Sequence, residues 1–240
     1  MKAPIVGATN VNPRFPMQDA VLPSEAPKNC QLCPRLVDFR EQTACREPDW
    51  FNGAVPSFGD EKARLLIVGL APGLRGANRT GRPFTGDGSG ETLFRMLDKF
   101  GFVSGTFTNE ANDTLKLTDV MITNAVRCVP PQNRPVGAEI NACRPYLAAR
   151  LDGLKHLRVV LTLGKIAHDS TVRALGLRLR DYPFGHSLAY TITQSEQPGT
   201  SPTLLSSYHC SRYNLNTGRL TEPMFEDVFR RAAKILAMAG

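Results

Sequence analysis

The chain of 240 residues contains no run of about 18 apolar residues, the length that a membrane-spanning helix needs. Its N-terminal residues also lack the apolar segment of a secretory signal peptide. We therefore expect a protein of the cytoplasm without a membrane partner. Structural disulfides are rare in that compartment, so metal binding or catalysis is the better explanation for those of the six cysteines that stand in pairs.

Two common nucleotide-binding motifs are absent as well. The sequence has neither the G-K-[ST] end of a P-loop nor the G-x-G-x-x-G fingerprint of dinucleotide-binding folds. It also shows no internal repeat and no low-complexity block. These absences argue against repeat proteins and against the two folds that those motifs mark.

Positive charge exceeds negative charge, and the formal net charge is +7. Lys and Arg side chains that neutralise phosphates release condensed counterions, so this excess suits a nucleic-acid partner. The same excess serves solubility alone, and charge does not decide between the two interpretations.

Four short apolar runs predict strands, and three of them are near-continuous, as is typical of parallel strands covered on both faces. These runs lie at 64–70, 119–124, 158–164 and 203–208, and helical patterns lie at 89–100, 137–154, 165–175 and 222–238. Strands that alternate with helices imply right-handed crossovers. The sequence therefore predicts an α/β fold, a three-layer α/β/α sandwich around a four-stranded parallel sheet.

Residues 1–28 are rich in proline and show no helical spacing. This pattern predicts an extended N-terminal arm with few packed contacts. Residues 29–240 then form a single domain, which is long enough to bury a large core without disulfides.

In parallel sheets, ligands bind beyond the carboxyl ends of the strands. The loop 71–90 follows the first predicted strand and holds six glycines and three arginines. Glycine permits close backbone approach, and free amides beside arginine form an anion cradle, although a purely structural turn has the same composition. The loop 207–221 places His209 at the same edge, among donors, cations and apolar side chains that suit a DNA backbone and a wedge between bases.

The cysteines form two pairs. Cys30 and Cys33 stand in a C-x2-C motif, and Cys128 and Cys143 have fourteen residues between them. Two pairs that flank one α/β segment indicate a site of four thiolates, and the spacing leaves zinc and an iron–sulfur cluster as alternatives. Cys45 is the spare thiol nearest in sequence.

Three runs carry a family resemblance: GLAPGLRGANRTGRPFTGDGSG, TNAVRCVPPQNRP followed by ACRPYL, and SYHCSRYNLNTGRLT. Together, and in this order, they resemble the family 5 (type B) uracil-DNA glycosylases over roughly residues 30–240. The resemblance implies a [4Fe–4S] cluster of structural role on Cys30, Cys33, Cys128 and Cys143. It also implies a monomeric enzyme that removes uracil from DNA without a β-lyase step, as the first step of base excision repair. Hypoxanthine and other deaminated bases are further expected substrates.

A glycosylase must flip the base out of the stack and stabilise the negative charge of the departing base. The resemblance implies that His209 donates a hydrogen bond to uracil O2, beside backbone amides at Ala71 and Gly73. The alternative for His209 is a loop histidine bonded to the backbone. His156, His168 and His186 match no motif.

Two further side chains are candidates for holding the base. Phe84 is the expected stacking platform, with a core phenylalanine as its alternative. Asn124 ends the second predicted strand, and its amide has the donor and the acceptor needed for the O4 and N3–H edge of uracil. Its alternative is a cap on the following turn.

Water activation has no obvious residue in this sequence. Related families carry a carboxylate or Asn where this chain has Leu70, a departure that family 5 shares. Asp87 is the nearest remaining carboxylate, so it is the candidate for positioning water or stabilising the sugar cation. It is equally a candidate helix N-cap, with Ser89 as a competing cap.

The expected contacts to DNA come from the two loops at the strand ends. They are Arg75, Arg79, Ser211, Arg212, Tyr213, Leu215 and Arg219. Cys210 follows His209 and is either a packing residue or a reactive thiol. Alternative functions are a DNA-binding module without catalysis, a uracil-DNA trapping protein and a small-molecule nucleotide enzyme.

Overall fold

The computed structural model describes residues 23–192 and 201–238. Its helices are α1 (Pro34–Arg46), α2 (Ala77–Thr80), α3 (Gly88–Lys99), α4 (Gly137–Gly153), α5 (Lys165–Ala174), α6 (Arg212–Asn216) and α7 (Glu222–Met238). Its strands are β1 (Phe58–Gly59), β2 (Leu65–Gly69), β3 (Val103–Ser104), β4 (Lys116–Leu117), β5 (Val120–Asn124), β6 (Val159–Leu163), β7 (Ala189–Thr191) and β8 (Thr203–Ser207).

The main sheet has the strand order β1-β5-β2-β6-β8-β7. Its four inner strands are parallel, and every residue of β2, β5 and β6 is buried. These are the four predicted strands, so the α/β fold class is confirmed. The predicted number of strands was too small, because β1 and β7 add antiparallel edges to β5 and β8. With two and three residues, these edge strands are too short to produce a sequence pattern.

Helices cover both faces of the sheet, as predicted. Apolar residues of α3 and α7 pack on one face, and those of α4 and α5 pack on the other. The two faces alternate along each strand, so Ile67 faces the first cluster and Leu66 faces the second. The result is the three-layer α/β/α sandwich.

The last residues of the predicted N-terminal arm, 23–28, are described by the structure and pack against the domain. Glu25 forms ion pairs with Arg127 and Arg150, and Ala26 is buried. Most of the predicted arm, residues 1–22, lies outside the described residues. The described end of the arm therefore has more packed contacts than the sequence indicated, and the boundary at residue 29 remains a prediction.

Helix α1 was not predicted. Pro34 stands at its start, where the missing N–H costs nothing, and Leu36, Val37, Arg40 and Thr43 form its buried face. Two of these four residues are polar, which hides the apolar spacing that would identify a helix. Among the described helices, none has the length and apolar character required to cross a bilayer.

Strand register brings the functional loops together. Gly69 at the end of β2 lies opposite Asn124 at the end of β5, and Leu163 of β6 lies opposite Ser207 of β8. The loops that leave these strands therefore start at one level, on one edge of the sheet.

Candidate active site

A pocket of about 310 Å³ lies beyond the ends of β2, β5 and β8. Its lining comes from the glycine-rich loop, the end of β5, the turn at 131–133 and the loop after β8. The lining residues are Leu70, Ala71, Pro72, Gly73, Ala77, Phe84, Asp87, Ser89, Asn124, Asn133, His209 and Ser211. All residues predicted for catalysis and for base binding therefore share one pocket.

Phe84 forms one wall of the pocket. Its ring stacks on the imidazole of His209, with centroids 5.9 Å apart and planes 21° from parallel. Phe84 is buried and also belongs to the core cluster below α3 and α7, so the core and the pocket interpretations both hold. Its backbone has φ of +54°, a left-handed conformation that is costly for a bulky residue and clusters at functional sites.

Asn124 forms the floor of the pocket beside Gly69. Asn124 is 3% exposed overall and lines the pocket, and its side-chain amide makes no hydrogen bond with any residue of the described ranges, so it does not cap the following turn. A Cβ on Gly69 would stand 2.4 Å from Asn124 Oδ1 and 2.7 Å from Phe84 Cε2. Glycine at position 69 thus permits the close approach of both side chains, and the amide is left available to a bound ligand.

His209 stands at the start of the loop after β8. Within the described residues its ring makes no hydrogen bond, whereas its backbone carbonyl accepts one from Asn214 Nδ2 at 2.8 Å. Burial lowers the pKa of His209 below its usual value of 6.5, and the carboxylate of Asp87 opposes this shift. The imidazole is therefore neutral at neutral pH, with one N–H free to donate into the pocket.

Two backbone amides at the pocket have no hydrogen-bond acceptor in the described part of the chain. The N–H groups of Ala71 and Gly73 donate to no other residue of the described part of the chain. Together with His209, they provide donors around one space, as stabilisation of a developing oxyanion requires.

Asp87 has two roles in the structure. It is the N-cap of α3, and its Oδ1 accepts hydrogen bonds from the backbone of Ser89 at 2.9 Å and Gly90 at 3.1 Å. Its Oδ2 lies on the side of Gly73 and Gly76, where an added Cβ would be 3.2 and 2.9 Å away. The cap interpretation holds, with Asp87 rather than Ser89 as the cap, and the second carboxylate oxygen remains on the side of the pocket.

Comparison with known proteins identifies the family. Residues 56–233 match the family model described as the uracil DNA glycosylase superfamily. The chain belongs to the uracil DNA glycosylase superfamily. It is 43% identical over 215 residues to the Type-5 uracil-DNA glycosylase of Thermus thermophilus, covering 87% of this chain and 94% of that relative. It is 40% identical to the Mycobacterium bovis enzyme of the same description, over 86% and 78% of the two chains. It is 36% identical to the one from Pyrobaculum aerophilum, over 85% and 88%.

In this superfamily member, the four predicted thiol ligands line a second, smaller pocket. Cys30 and Cys33 precede α1, Cys128 follows β5, and Cys143 lies in α4. Among the described residues, no three His, Cys, Asp or Glu side chains form a group that would hold a single metal ion. The four cysteines therefore remain predicted ligands, which come from three separate parts of the fold and share one small pocket.

Buried donors surround these thiols. Arg40 is buried and belongs to no ion pair among the described residues, and its Nη1 donates to Cys128 Sγ at 3.4 Å. The backbone N–H of Arg127 donates to Cys143 Sγ at 3.3 Å. A buried cation without a carboxylate favours an anionic group beside it, as a thiolate-bound cluster is. Burial raises the pKa of the Cys128 thiol to about 11 and that of Cys143 to about 12, so metal binding would have to release these protons.

The two pockets are close along the chain. Residues 125–127 are all that separate Asn124 in one pocket from Cys128 in the other. The backbone of Ala125 and Val126 donates to the carbonyls of Gly69 and Leu70, which fixes this connection against the strand-end loop.

The residues predicted to contact DNA differ in how accessible they are. Arg75, Arg212, Tyr213 and Arg219 are exposed, and Ser211 lines the pocket. Arg79 instead forms a two-pronged ion pair with Glu110, at 2.8 and 2.9 Å.

Two of the residues predicted to contact DNA, Leu215 and Tyr213, are the candidates for the wedge between bases, and they also differ in exposure. Leu215 is half-buried and packs against the core, whereas Tyr213 is 72% exposed. Tyr213 is therefore the more accessible of the two.

Cys210 is buried, and its thiol donates to the carbonyl of Ser89 at 3.5 Å. Burial raises the pKa of this thiol to about 12, which keeps it protonated and favours the packing role.

Sequence reasoning assigned no role to Asn133, which lines the pocket from the Pro131–Asn133 turn. A signal was present, because Asn133 lies in the quoted run TNAVRCVPPQNRP, and its φ of +56° is one that Asn adopts more readily than most residues. A third pocket, of about 300 Å³, shares Leu70 and His209 with the first and extends to Lys165 and Arg219, and it was not predicted either.

Proposed function

We propose that this protein is a monofunctional uracil-DNA glycosylase, which flips uracil out of DNA and hydrolyses its N-glycosidic bond. The observation that carries the proposal is the convergence of Phe84, Asn124 and His209 on one pocket. The product is an abasic site, and the described lining of the pocket contains no amine that would form a Schiff base with it.

The pocket holds the flipped base by stacking and by edge recognition. Stacking on an aromatic ring such as Phe84 contributes about 1–3 kcal/mol per base. The Asn124 amide supplies a donor to uracil O4 and an acceptor for N3–H. Because this amide has no other described partner, it can bond the base without giving up a hydrogen bond inside the protein.

Bond cleavage leaves negative charge on the base and positive charge on the sugar. Neutral His209 donates to uracil O2, and the free amides of Ala71 and Gly73 stand beside it. Donors fixed in a buried site before the reaction lower the barrier, because they need no reorganisation when charge develops.

Asp87 is the residue that we propose for positioning the water. Its Oδ1 is occupied by the N-cap hydrogen bonds, which fix the carboxylate, and its Oδ2 remains on the pocket side. With Leu70 in the place of the usual polar residue, leaving-group stabilisation carries more of the catalysis.

The four cysteines Cys30, Cys33, Cys128 and Cys143 would hold a [4Fe–4S] cluster. Its chemistry here is structural, because it would cross-link the start of α1, the loop after β5 and α4. Reduced thiols of this kind persist in the cytoplasm, which we propose as the compartment. We also propose that the enzyme acts as a monomer on DNA, with Arg75, Arg212, Tyr213 and Arg219 on the exposed rim.

The test is incubation with DNA that contains a single uracil, followed by alkali. We expect free uracil to be released and strands to break only after alkali. Strand breaks before alkali would indicate a lyase, and a shifted band without free uracil would indicate a trapping protein. A matched series with hypoxanthine and other deaminated bases defines the substrate range.

A further inference from the structure

The backbone of Phe84 needs an explanation, because a phenylalanine at φ of +54° is strained. Strain of this kind persists only where the surroundings enforce it. The residues on either side of Phe84 in the sequence supply such a constraint.

Arg82 closes the loop around Phe84. Its Nε donates to Thr85 Oγ1 at 2.8 Å, and the Thr85 hydroxyl in turn donates to the carbonyl of Pro83 at 3.4 Å. Thr85 follows Phe84 in the chain, and Arg82 and Pro83 precede it. The Thr85 hydroxyl therefore bridges the two sides of Phe84. Both Arg82 and Thr85 are buried, so water does not compete for these bonds.

Asp113 fixes Arg82 from the opposite side. Its two carboxylate oxygens accept from Nη1 and Nη2 of Arg82 at 2.6 and 2.7 Å, and its side chain is fully buried. The carboxylate also accepts the backbone N–H groups of Thr108 and Leu115, at 3.0 and 3.1 Å. A planar guanidinium held by two parallel bonds cannot rotate. Asp113 therefore fixes the orientation of Arg82, and Arg82 in turn fixes the hydroxyl of Thr85.

Aromatic rings complete the setting of Arg82. Its guanidinium carbon lies 5.1 Å from the ring centre of Phe58, 5.8 Å from that of Phe107 and 5.9 Å from that of Phe94. The charge is therefore enclosed by one carboxylate and three rings, and Arg82 is only 6% exposed, so we do not expect it to contact DNA.

We propose that Arg82 is a positioning residue for base excision, which acts through Thr85 and Asp113 to hold Phe84 in its left-handed conformation against the flipped base. The proposal rests on the proposed function in one respect, since Phe84 must be the stacking wall. Arg82 would contact neither the base nor the sugar. Its contribution would be to fix the orientation of the Phe84 ring.

The test uses Thr85→Val, which removes the hydroxyl and keeps the shape of the side chain. We expect Thr85→Val to lower the single-turnover rate of uracil excision about tenfold, as partial loss of base stacking would. Thr85→Ser restores the hydroxyl and should restore most of the rate. Thr171→Val is the matched control, because it removes a buried hydroxyl of α5 whose hydrogen bond, within the described residues, stays inside its own helix, at 2.8 Å to the carbonyl of Ala167.

A double-mutant cycle separates positioning from a general structural role. In a Phe84→Ala background, Thr85→Val should cause little further loss of rate, because the residue that the hydroxyl positions is gone. An equal loss in both backgrounds, or no loss in the wild-type background, would overturn the proposal. Thermal unfolding of each variant ensures that rates are compared among fully folded proteins.

A crystal structure of Thr85→Val tests the same proposal without any activity. We expect Phe84 to leave the left-handed region and its stacking with His209. If φ and the stacking are unchanged, the proposal fails even if the enzyme excises uracil. If the wild-type protein releases no uracil while Phe84 moves in the variant, the proposed function fails and the role of the Arg82–Thr85 contact in positioning Phe84 stands.

Discussion

The ring of Phe84 lies almost parallel to the imidazole of His209, with 5.9 Å between their centroids. One residue comes from the loop after β2 and the other from the loop after β8, so the contact joins two loops that are 125 positions apart in sequence. This pairing places a stacking surface and a hydrogen-bond donor side by side in the pocket.

His209→Ala should slow excision by about 10²- to 10³-fold, the usual effect of removing one donor to a developing anion. Affinity for uracil-containing DNA should change little, because the exposed arginines remain. Single-turnover kinetics and a binding titration measure the two quantities. His156→Ala is the control, since His156 is exposed and lies outside the pocket, and it should match the wild type. Unchanged turnover in His209→Ala would remove His209 from the mechanism.

The acid–base behaviour of His209 can be measured directly by NMR titration of its ring signals. Its pKa in the folded protein should lie below 6.5, because burial disfavours the cation. The unfolded chain then takes up this proton at higher pH than the folded chain. The stability contributed by the neutral ring is therefore present above about pH 6.5 and is lost as the pH falls towards the folded pKa.

Asp87→Asn should lower the pKa of His209 further, because the attraction of the carboxylate for the imidazolium is removed. Asparagine is also a good N-cap, so helix α3 should remain stable. The same NMR titration measures the shift. A pKa that rises or stays constant in Asp87→Asn would show that the two side chains do not interact.

Cys30→Ser should lose iron and visible absorbance, whereas Cys45→Ser should keep both. Cys30 lines the thiol pocket, and Cys45 is exposed and lies outside it. Metal analysis together with the absorption spectrum of the purified proteins distinguishes iron from zinc. A Cys30→Ser protein that is still brown would contradict the ligand set, and a colourless wild type that contains zinc would contradict the cluster.

Arg219→Ala should weaken binding to all DNA sequences and reduce the slope of log K against log salt by about 1, as loss of one phosphate contact does. Arg219 is exposed, and its guanidinium lies 4.9 Å above the ring of Tyr208 without an ion pair in the described part of the chain. Arg79→Ala is the comparison, and it should have a smaller effect because Glu110 already compensates the charge of Arg79. Equal slopes for the two variants would contradict this distinction.

The four inner strands of the sheet, and the residues at their ends, were predictable from the sequence. The apolar runs that became β2, β5, β6 and β8 identify the sheet, and the rule that ligands bind at carboxyl ends selects the correct edge for Asn124 and His209. The edge strands β1 and β7 were not predictable, because two or three residues carry no periodicity.

Contacts between polar residues that are distant in the chain could not be predicted from the sequence. Arg82 and Asp113 lie 31 positions apart, and nothing in either local pattern indicates that they pair. Likewise, Glu25 lies in a proline-rich segment that predicts few contacts, although it pairs with the buried Arg127 and Arg150. Such pairs depend on the folded geometry of elements whose own positions are set by the apolar core.

The short connection between Asn124 and Cys128 has a consequence for how the protein would fail. If the proposed cluster were lost, the freed chain at Cys128 would be separated from Asn124, the amide proposed to recognise the base, by only three residues. We would then expect base recognition to weaken along with the loss of the cluster, so that the protein without iron loses activity rather than gaining activity on normal bases.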